Sequence, residues 1–418
     1  MNAALISPAN LDLIARLAGD GPVLVALSGG GDSMALLLAL RDALGPTRLR
    51  AMIVDHALRQ GSADDADLAR QRAEAAGVAA DIIRVDWPNG PKPSQASARQ
   101  ARYRGLCEAA RAHDARLIAL GHNADDQAET IMLRAEAGAS WRGLAGMRAV
   151  APAPIWPEGR GIALIRPLLD QRRADLRVWL EARGAAWIED PSNANRDFAR
   201  VRMRQTLSGL EADGFEIAPL LMLAAGLGPR AAAQDAEALN LLRAACRLEA
   251  GEARLERALW AEAEESVRLR ALSVVLAATA GAAHEPAAGA VARLGARMLE
   301  ADFSGAALGG SVVSPVKQDW IFRRDSGALL GRADGGPGLA PRILPPDTPI
   351  VWDGRLELTA REPGWAVFPG PRQGAPMLER ADAALDLDAA AGRVEMSWLL
   401  GRHMTHLLGE ISSAFTPS

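Results

Sequence analysis

The chain has 418 residues, 49% hydrophobic and 23% charged, with a formal net charge of −4. That length exceeds one ordinary core and predicts two or three domains, while the composition excludes a largely disordered chain. Its two cysteines, Cys107 and Cys246, stand far apart and form no CxxC pair, which argues against a thiolate metal or iron–sulfur site and against an oxidising compartment. The first 19 residues read as a short amphipathic helix and not as a signal peptide, and no apolar stretch approaches transmembrane length. A soluble, cytoplasmic protein with no membrane partner is therefore expected. Charge is uneven: residues 1–210 carry 27 basic against 24 acidic side chains, the remainder 20 against 27. An anionic partner should meet the first half.

In chain order, short apolar runs at 23–27, 50–54, 82–85, 116–120 and 162–165 read as strands buried on both faces. Between them, 32–44, 63–76, 94–112 and 124–136 have helical composition, and 170–184 follows as another helix. This rhythm predicts an α/β domain built on a parallel sheet, whose ligand would sit at the carboxyl ends of the strands. From 217 to 299 the chain is Ala-, Leu- and Arg-rich and reads as helix. Beyond 304 strand-like pieces return, at 350–360 and 366–369. Boundaries are expected near 210 and 340.

The chemistry concentrates at Ser28-Gly29-Gly30-Gly31-Asp32-Ser33, between the first strand and its helix. Three glycines let the backbone approach an anion, and the helix start aims free N–H groups at the same spot. The loop lacks the lysine of a Walker A sequence and the spacing of a dinucleotide fingerprint. Asp32 within a phosphate cradle makes sense if a divalent cation, Mg²⁺, bridges carboxylate and phosphate; its plainer role would be a helix cap. At the fourth strand's end, His122, Asp125, Asp126 and Glu129 form an acidic group that could hold a metal or orient an amine; the plainer reading is helix-dipole complementarity with Asp125 as cap. Arg99 and Arg102 share a helix face, and Arg196, Arg200, Arg202 and Arg204 form the densest basic cluster, either a solvated surface or a contact to the phosphates of an anionic partner. Trp179 and Trp187 are expected in the core, and Cys107 as a small buried hydrophobe.

Residues 28–33 resemble the SGGxDS signature of PP-loop ATP-pyrophosphatases, which split ATP between the α- and β-phosphates. Further blocks narrow the resemblance to the tRNA(Ile)-lysidine synthases: Val54-Asp55-His56-Ala57-Leu58-Arg59, Ala98–Tyr103, Gly121–Thr130, Gly143–Met147, Arg166–Leu169, Glu189–Asn193, then Phe198 and Arg200–Arg204, in the family's order over about half the chain. The resemblance implies a PP-loop catalytic domain over 1–210, a mostly helical tRNA-contacting domain over 211–340 and a small α+β region over 341–418. It implies ATP as substrate, held by Ser28, Gly29, Gly30, Gly31, Asp32, Ser33, Asp55 and His56. Catalytic roles fall to Asp32, Asp126 and Arg102, Mg²⁺ to Asp32, Asp125 and Asp126, and tRNA to Arg200, Arg202 and Arg204. The partners implied are free L-lysine and tRNA(Ile) with a CAU anticodon. Lysine would be joined to C2 of the wobble cytidine through an adenylated base, with release of AMP and pyrophosphate. Other readings are a PP-loop tRNA thiolase, which would need cysteines placed for sulfur chemistry, and a non-catalytic tRNA-binding PP-loop protein. The oligomeric state stays open, a homodimer among the options.

Overall fold

A computed structural model describes residues 5–87, 93–189, 197–331, 338–370, 375–380 and 383–410. They divide into two compact units, 1–232 and 233–418.

The first unit opens with helix α1 (Pro8–Ala18), then alternates β1 (Val23–Ala26), α2 (Gly31–Leu44), β2 (Leu49–Asp55), α3 (Ser62–Ala75), β3 (Ala79–Arg84), α4 (Gln95–Ala112), β4 (Leu117–Leu120) and α5 (Ala124–Glu136). A short turn of helix, α6 (Trp141–Leu144), precedes β5 (Val150–Pro152) and β6 (Ala163–Ile165); α7 (Arg173–Glu181) and α8 (Ala199–Ala212) follow, and α9 (Ala218–Ala245) begins in this unit and ends in the second. The sheet order is β3-β2-β1-β4-β6-β5, and every pairing from β3 to β6 is parallel. The expected α/β parallel sheet is therefore present. One strand was not anticipated: β5 pairs antiparallel with β6 at the edge. It has three residues and ends on Pro152, a residue compatible with an edge and invisible to an apolar-run search.

Short central strands need both faces covered, and they are. β1 and β4 are buried almost throughout. On one face Leu24, Met52, Ile118 and Leu164 pack with Tyr103, Leu106 and Cys107 of α4. Helix α2 buries an unbroken run from Ser33 to Leu40. Chain order reverses direction at β1, with β2 and β3 to one side and β4 and β6 to the other. The crevice beyond the carboxyl ends of β1 and β4 is thus a topological switch point, where open α/β sheets bind ligands. Both chemical motifs lie there, since one follows β1 and the other follows β4.

The second unit holds helix, as read from the sequence, together with antiparallel sheet that the helical composition of 217–299 concealed. β7 (Cys246–Glu249) and β8 (Glu252–Glu256) form a hairpin, joined in one sheet by β9 (Ala306–Leu308), β10 (Ser311–Val316) and β11 (Asp319–Arg324) in the order β7-β8-β11-β10-β9. The turn places Ala250 and Gly251 at φ 42° and 84°, the two left-handed residues of a tight hairpin. Helix Glu265–Ala280 buries Leu272, Val274, Val275 and Leu276 beside Trp320 and Phe322 of that sheet. Farther on, 350–360 is two strands, Ile350–Trp352 and Leu356–Ala360, reversed at Asp353-Gly354, both at positive φ. No helix among the described residues is long and apolar enough to cross a membrane.

Candidate active site

The Gly-rich turn is held open by its own serines. The Ser33 hydroxyl donates to the Gly30 carbonyl at 3.0 Å, accepts from the Ser28 amide at 3.2 Å and lies 3.1 Å from the Ser28 hydroxyl. Gly29 sits at φ 81°, and a Cβ there would lie 2.6 Å from Ile188 Cδ1. Glycine is thus required for both torsion and space. The Gly29 carbonyl accepts from the Ile188 amide at 2.8 Å, so the segment after α7 closes over the turn. Helix α2 begins at Gly31 without a side-chain cap, leaving its first N–H groups for an anion. Gly121, at the end of β4, presses on this turn: a Cβ there would meet the Asp32 carbonyl oxygen at 2.9 Å. The two motifs are therefore in backbone contact.

The acidic group opens α5. Asn123 is its cap, with a side-chain oxygen 2.9 Å from the Asp126 amide, and Asp126 closes the box by accepting from the Asn123 amide at 3.1 Å. The cap is thus Asn123 and not Asp125, because Asn123 alone has the extended backbone of a cap residue. Asp125 turns instead to α7, accepting from the Arg173 amide at 2.7 Å and from the Arg172 guanidinium at 2.9 Å. Burial would raise its pKa, but these donors outweigh burial and hold it below the ordinary value. The free oxygen of Asp126 faces the Arg173 guanidinium at 2.8 Å, and Asp32 reaches the same guanidinium at 3.3 Å. Glu129, 1% exposed, lies 3.6 Å from Arg173 and 2.8 Å from Arg204, and its Oε2 is buried with no partner. Asp32 is pushed above the usual carboxylate range by burial, against the pull of Arg173 and with the help of Asp126's charge. Beside these groups opens a cavity of about 470 Å³, lined by Asp125, Glu129, Arg173, Arg204 and Glu211 among others.

A second, cationic face adjoins. Arg99 and Arg102 stand over the Tyr103 ring at 4.9 and 5.1 Å. Arg102 Nε, Arg166 Nε and His122 Nδ1 are buried without hydrogen-bond partners. Burial would raise the Tyr103 pKa, yet Arg102, Arg99 and Arg166 together bring it below the ordinary value. His122 is driven well below its usual pKa by burial and then by Arg166, Arg102, Arg200 and Arg99. Unshared positive charge with orphaned donors suits an anion, because any of these groups left bare costs desolvation energy.

Among known proteins, the PP-loop domain family matches residues 7–210. A tRNA(Ile)-lysidine synthase of Hyphomonas neptunium is 37% identical over 327 residues, covering 78% of this chain and 85% of that one. That of Mesorhizobium japonicum is 38% identical over 361 residues, 83% of this chain and 74% of its own, and that of Caulobacter vibrioides 34% over 355 residues, 84% and 77%. The chain belongs to the tRNA(Ile)-lysidine synthase family. Its PP-loop domain binds ATP.

Of the family-implied residues, Asp32 and Asp126 meet at the Arg173 guanidinium, and Asp125 accepts from the Arg173 backbone N–H. Asp55 ends β2 and is 4% exposed; it accepts from the Ala57 amide at 2.9 Å, in a turn where Ala57 has φ 51°. His56 follows it, its carbonyl taking the Trp87 indole at 2.7 Å, and its pKa is lowered by burial first and then by Arg102. The basic cluster splits: Arg204 turns inward to Glu129, Arg200 donates to the Thr130 hydroxyl at 3.2 Å, and Arg202 donates to the Asp197 carbonyl at 2.9 Å. Asp190–Asn193 and Arg196 lie outside the described residues. Trp179 and Trp187 are half-buried and not core: Arg183 covers the first ring at 3.6 Å, and the Trp187 indole donates to Glu189 at 2.8 Å. Each keeps a polar or cationic neighbour, which suits a partly wet site. Cys107 is fully buried and burial pushes its thiol up to about 12, so it is an inert core residue. Arg173, Arg166 and Tyr103 were not singled out as site residues; only tertiary packing makes them so.

Asp125 ties α5 to α7, which gives a stability test. Replacing Asp125 with Asn should destabilise the protein by about 1–3 kcal/mol near neutral pH, the cost of losing charge-assisted bonds to two donors. A carboxylate with a depressed folded pKa contributes stability that is full above its unfolded value and is lost as pH falls through the folded one. The gap in melting temperature between parent and Asp125→Asn should therefore close on acidification below the ordinary carboxylate range. A gap that widens in acid would exclude this anchoring role.

Proposed function

We propose that the protein joins free lysine to C2 of the wobble cytidine of tRNA(Ile) bearing CAU, through a base adenylated by ATP, with release of AMP and pyrophosphate. The observation that carries this is the convergence of Asp32, from the phosphate turn, and Asp126, from the acidic helix, on one point of the switch-point crevice. That juxtaposition supports a reading in which phosphate chemistry and an amine-accepting acidic group serve one substrate.

Within this reading the α2 N-terminus and the Ser28–Ser33 turn bind and orient the phosphates. Asp55 and His56 close the crevice from the end of β2. Asp32 and Asp126 fit Mg²⁺, which asks for one or two carboxylates and completes its shell with phosphate oxygens and water. No group of three or more His, Cys, Asp or Glu side chains arranged to hold a metal occurs among the described residues, so a protein-only cage is not the arrangement. Asp125, committed to α7, supports them from behind. When bound, the ion would neutralise charge developing on phosphoryl oxygens. The cavity beside Glu129 fits lysine, whose ammonium would satisfy the orphaned Oε2. Loss of a proton from that amine to Asp126 or Glu129 would free it to attack C2. Arg102, with Arg99, Arg166 and Arg200, supplies the anion-binding face for the tRNA strand or the leaving pyrophosphate. Residues 211–340 as a tRNA-contacting domain and 341–418 as a separate small region complete the proposal, with the cytoplasm as its setting.

The direct test is product dependence. ATP should yield AMP and pyrophosphate only with tRNA(Ile) present, and AMP release should also need lysine. Turnover to ADP, or turnover without tRNA, contradicts the reading. A second expectation concerns the basic face. Changing Arg99 and Arg200 to Ala should weaken tRNA binding and reduce the slope of log K against log salt by about two. Arg202→Ala should move it less, because its guanidinium is turned to the Asp197 carbonyl. Equal slopes in parent and double variant would show that these side chains do not meet phosphate.

A further inference from the structure

Arg173 occupies the centre of the acidic group. Its guanidinium is reached by Asp126 at 2.8 Å, Asp32 at 3.3 Å and Glu129 at 3.6 Å, and its side chain is 19% exposed. These carboxylates come from two elements that meet only at the crevice, the α2 start and the first turns of α5. Arg173 itself is placed by a third, the first residue of α7, whose backbone N–H is fixed by Asp125 at 2.7 Å. The Asp32, Asp126 and Glu129 carboxylates face the Arg173 guanidinium, and of these only Glu129 is also held by Arg204. Removing Arg173 leaves Asp32 and Asp126 with no cation between them, in a half-buried place where like charges cannot stay close without one.

We propose that Arg173 is a positioning residue that fills the divalent-cation place between Asp32 and Asp126 in the nucleotide-free protein, and that yields it only when phosphate arrives to take the guanidinium. This rests on the reading of Asp32 and Asp126 as the carboxylates for Mg²⁺. The logic is one of exchange. Both cations cannot lie between the same two oxygens. A displaced guanidinium needs another anion, and the built anion cradle is the Gly29–Gly31 turn that Asp32 directly follows. Guanidinium suits the exchange because its planar fork binds carboxylate and phosphate alike. The consequence is ordered assembly: metal without nucleotide is excluded, and nucleotide admits both. The carboxylates meanwhile stay at their working separation.

The test uses Mn²⁺ alone, titrated into nucleotide-free full-length protein and followed by electron paramagnetic resonance, with no tRNA, lysine or turnover. The parent should bind Mn²⁺ weakly. Arg173→Gln, which keeps a polar side chain, shorter and without the charge, should bind it about tenfold or more tightly, since one positive charge has left a partly desolvated site. Adding Asp126→Asn to that variant should remove the gain. Arg173→Lys keeps a positive charge and should bind no more tightly than the parent. Arg173→Gln binding no tighter than the parent while folded by circular dichroism overturns the proposal, and so does an Arg173→Lys variant that gains affinity; the second holds even if the glutamine variant does not fold. Because no product is measured, a failure here is separable from a failure to make lysidine.

Discussion

Alanine at Asp32 is expected to abolish pyrophosphate release, by about a thousandfold or more, the scale lost when a preorganised electrostatic group is removed from a reacting centre. The same change should leave the melting temperature equal or slightly higher. Burial and the Asp126 charge raise the pKa of Asp32 despite Arg173, so its ionised form is disfavoured in the fold. For a carboxylate with a raised folded pKa, the sign is the reverse of the usual one: it favours folding in acid and opposes it once pH passes through the folded value. Above that value the Asp32 charge opposes folding, so removing it relieves a cost while ending the chemistry. Pyrophosphate release and thermal melting, measured on one preparation, check both halves. Near-normal release in a folded Asp32→Ala protein would remove Asp32 from the reaction.

Asp126→Asn should separate the two chemical steps. One Asp126 oxygen caps α5 through the Asn123 amide, and the other faces Arg173. Asparagine preserves the shape and one acceptor, so the cap survives in part while the charge is gone. If Asp126 serves the metal, pyrophosphate release falls by about a hundredfold or more. If it serves the amine, adenylated tRNA accumulates and lysidine does not form. The geometry favours the metal role: Asp126 and Asp32 both hydrogen-bond the Arg173 guanidinium, whereas Glu129, farther from it at 3.6 Å, keeps an unpartnered oxygen next to the cavity. Rapid-quench analysis with labelled ATP distinguishes them. Full activity through both steps would leave Asp126 as a helix cap alone.

How far the site could be read from the sequence depended on the range of the interactions. The phosphate turn was legible because strand, three glycines and helix start are contiguous, and β1 and β4 were legible as apolar runs. Arg173 was not. It stands 141 residues from Asp32, in a stretch that shows only helical composition, and nothing local reports a contact of that span. The basic cluster was half legible. Helical spacing puts Arg200 and Arg204 on one face and Arg202 off it, and they do part in that way. The acidic group read correctly as a helix start, but its cap was misplaced at Asp125, since Asn123, Asp125 and Asp126 are all competent cap residues and only backbone torsion chooses between them. In the second unit two reversals were missed: the β7–β8 hairpin, whose Ala250-Gly251 turn is a weak signal, and the Asp353-Gly354 turn, since 350–360 was read straight through it.

The most direct measurement is mass spectrometry of nucleosides from tRNA(Ile) with a CAU anticodon after incubation with this protein, ATP and lysine. The account predicts that the wobble cytidine becomes heavier by one lysine less one water, only when ATP and lysine are both present. An unmodified cytidine under those conditions, or one in which sulfur has replaced oxygen, would contradict it.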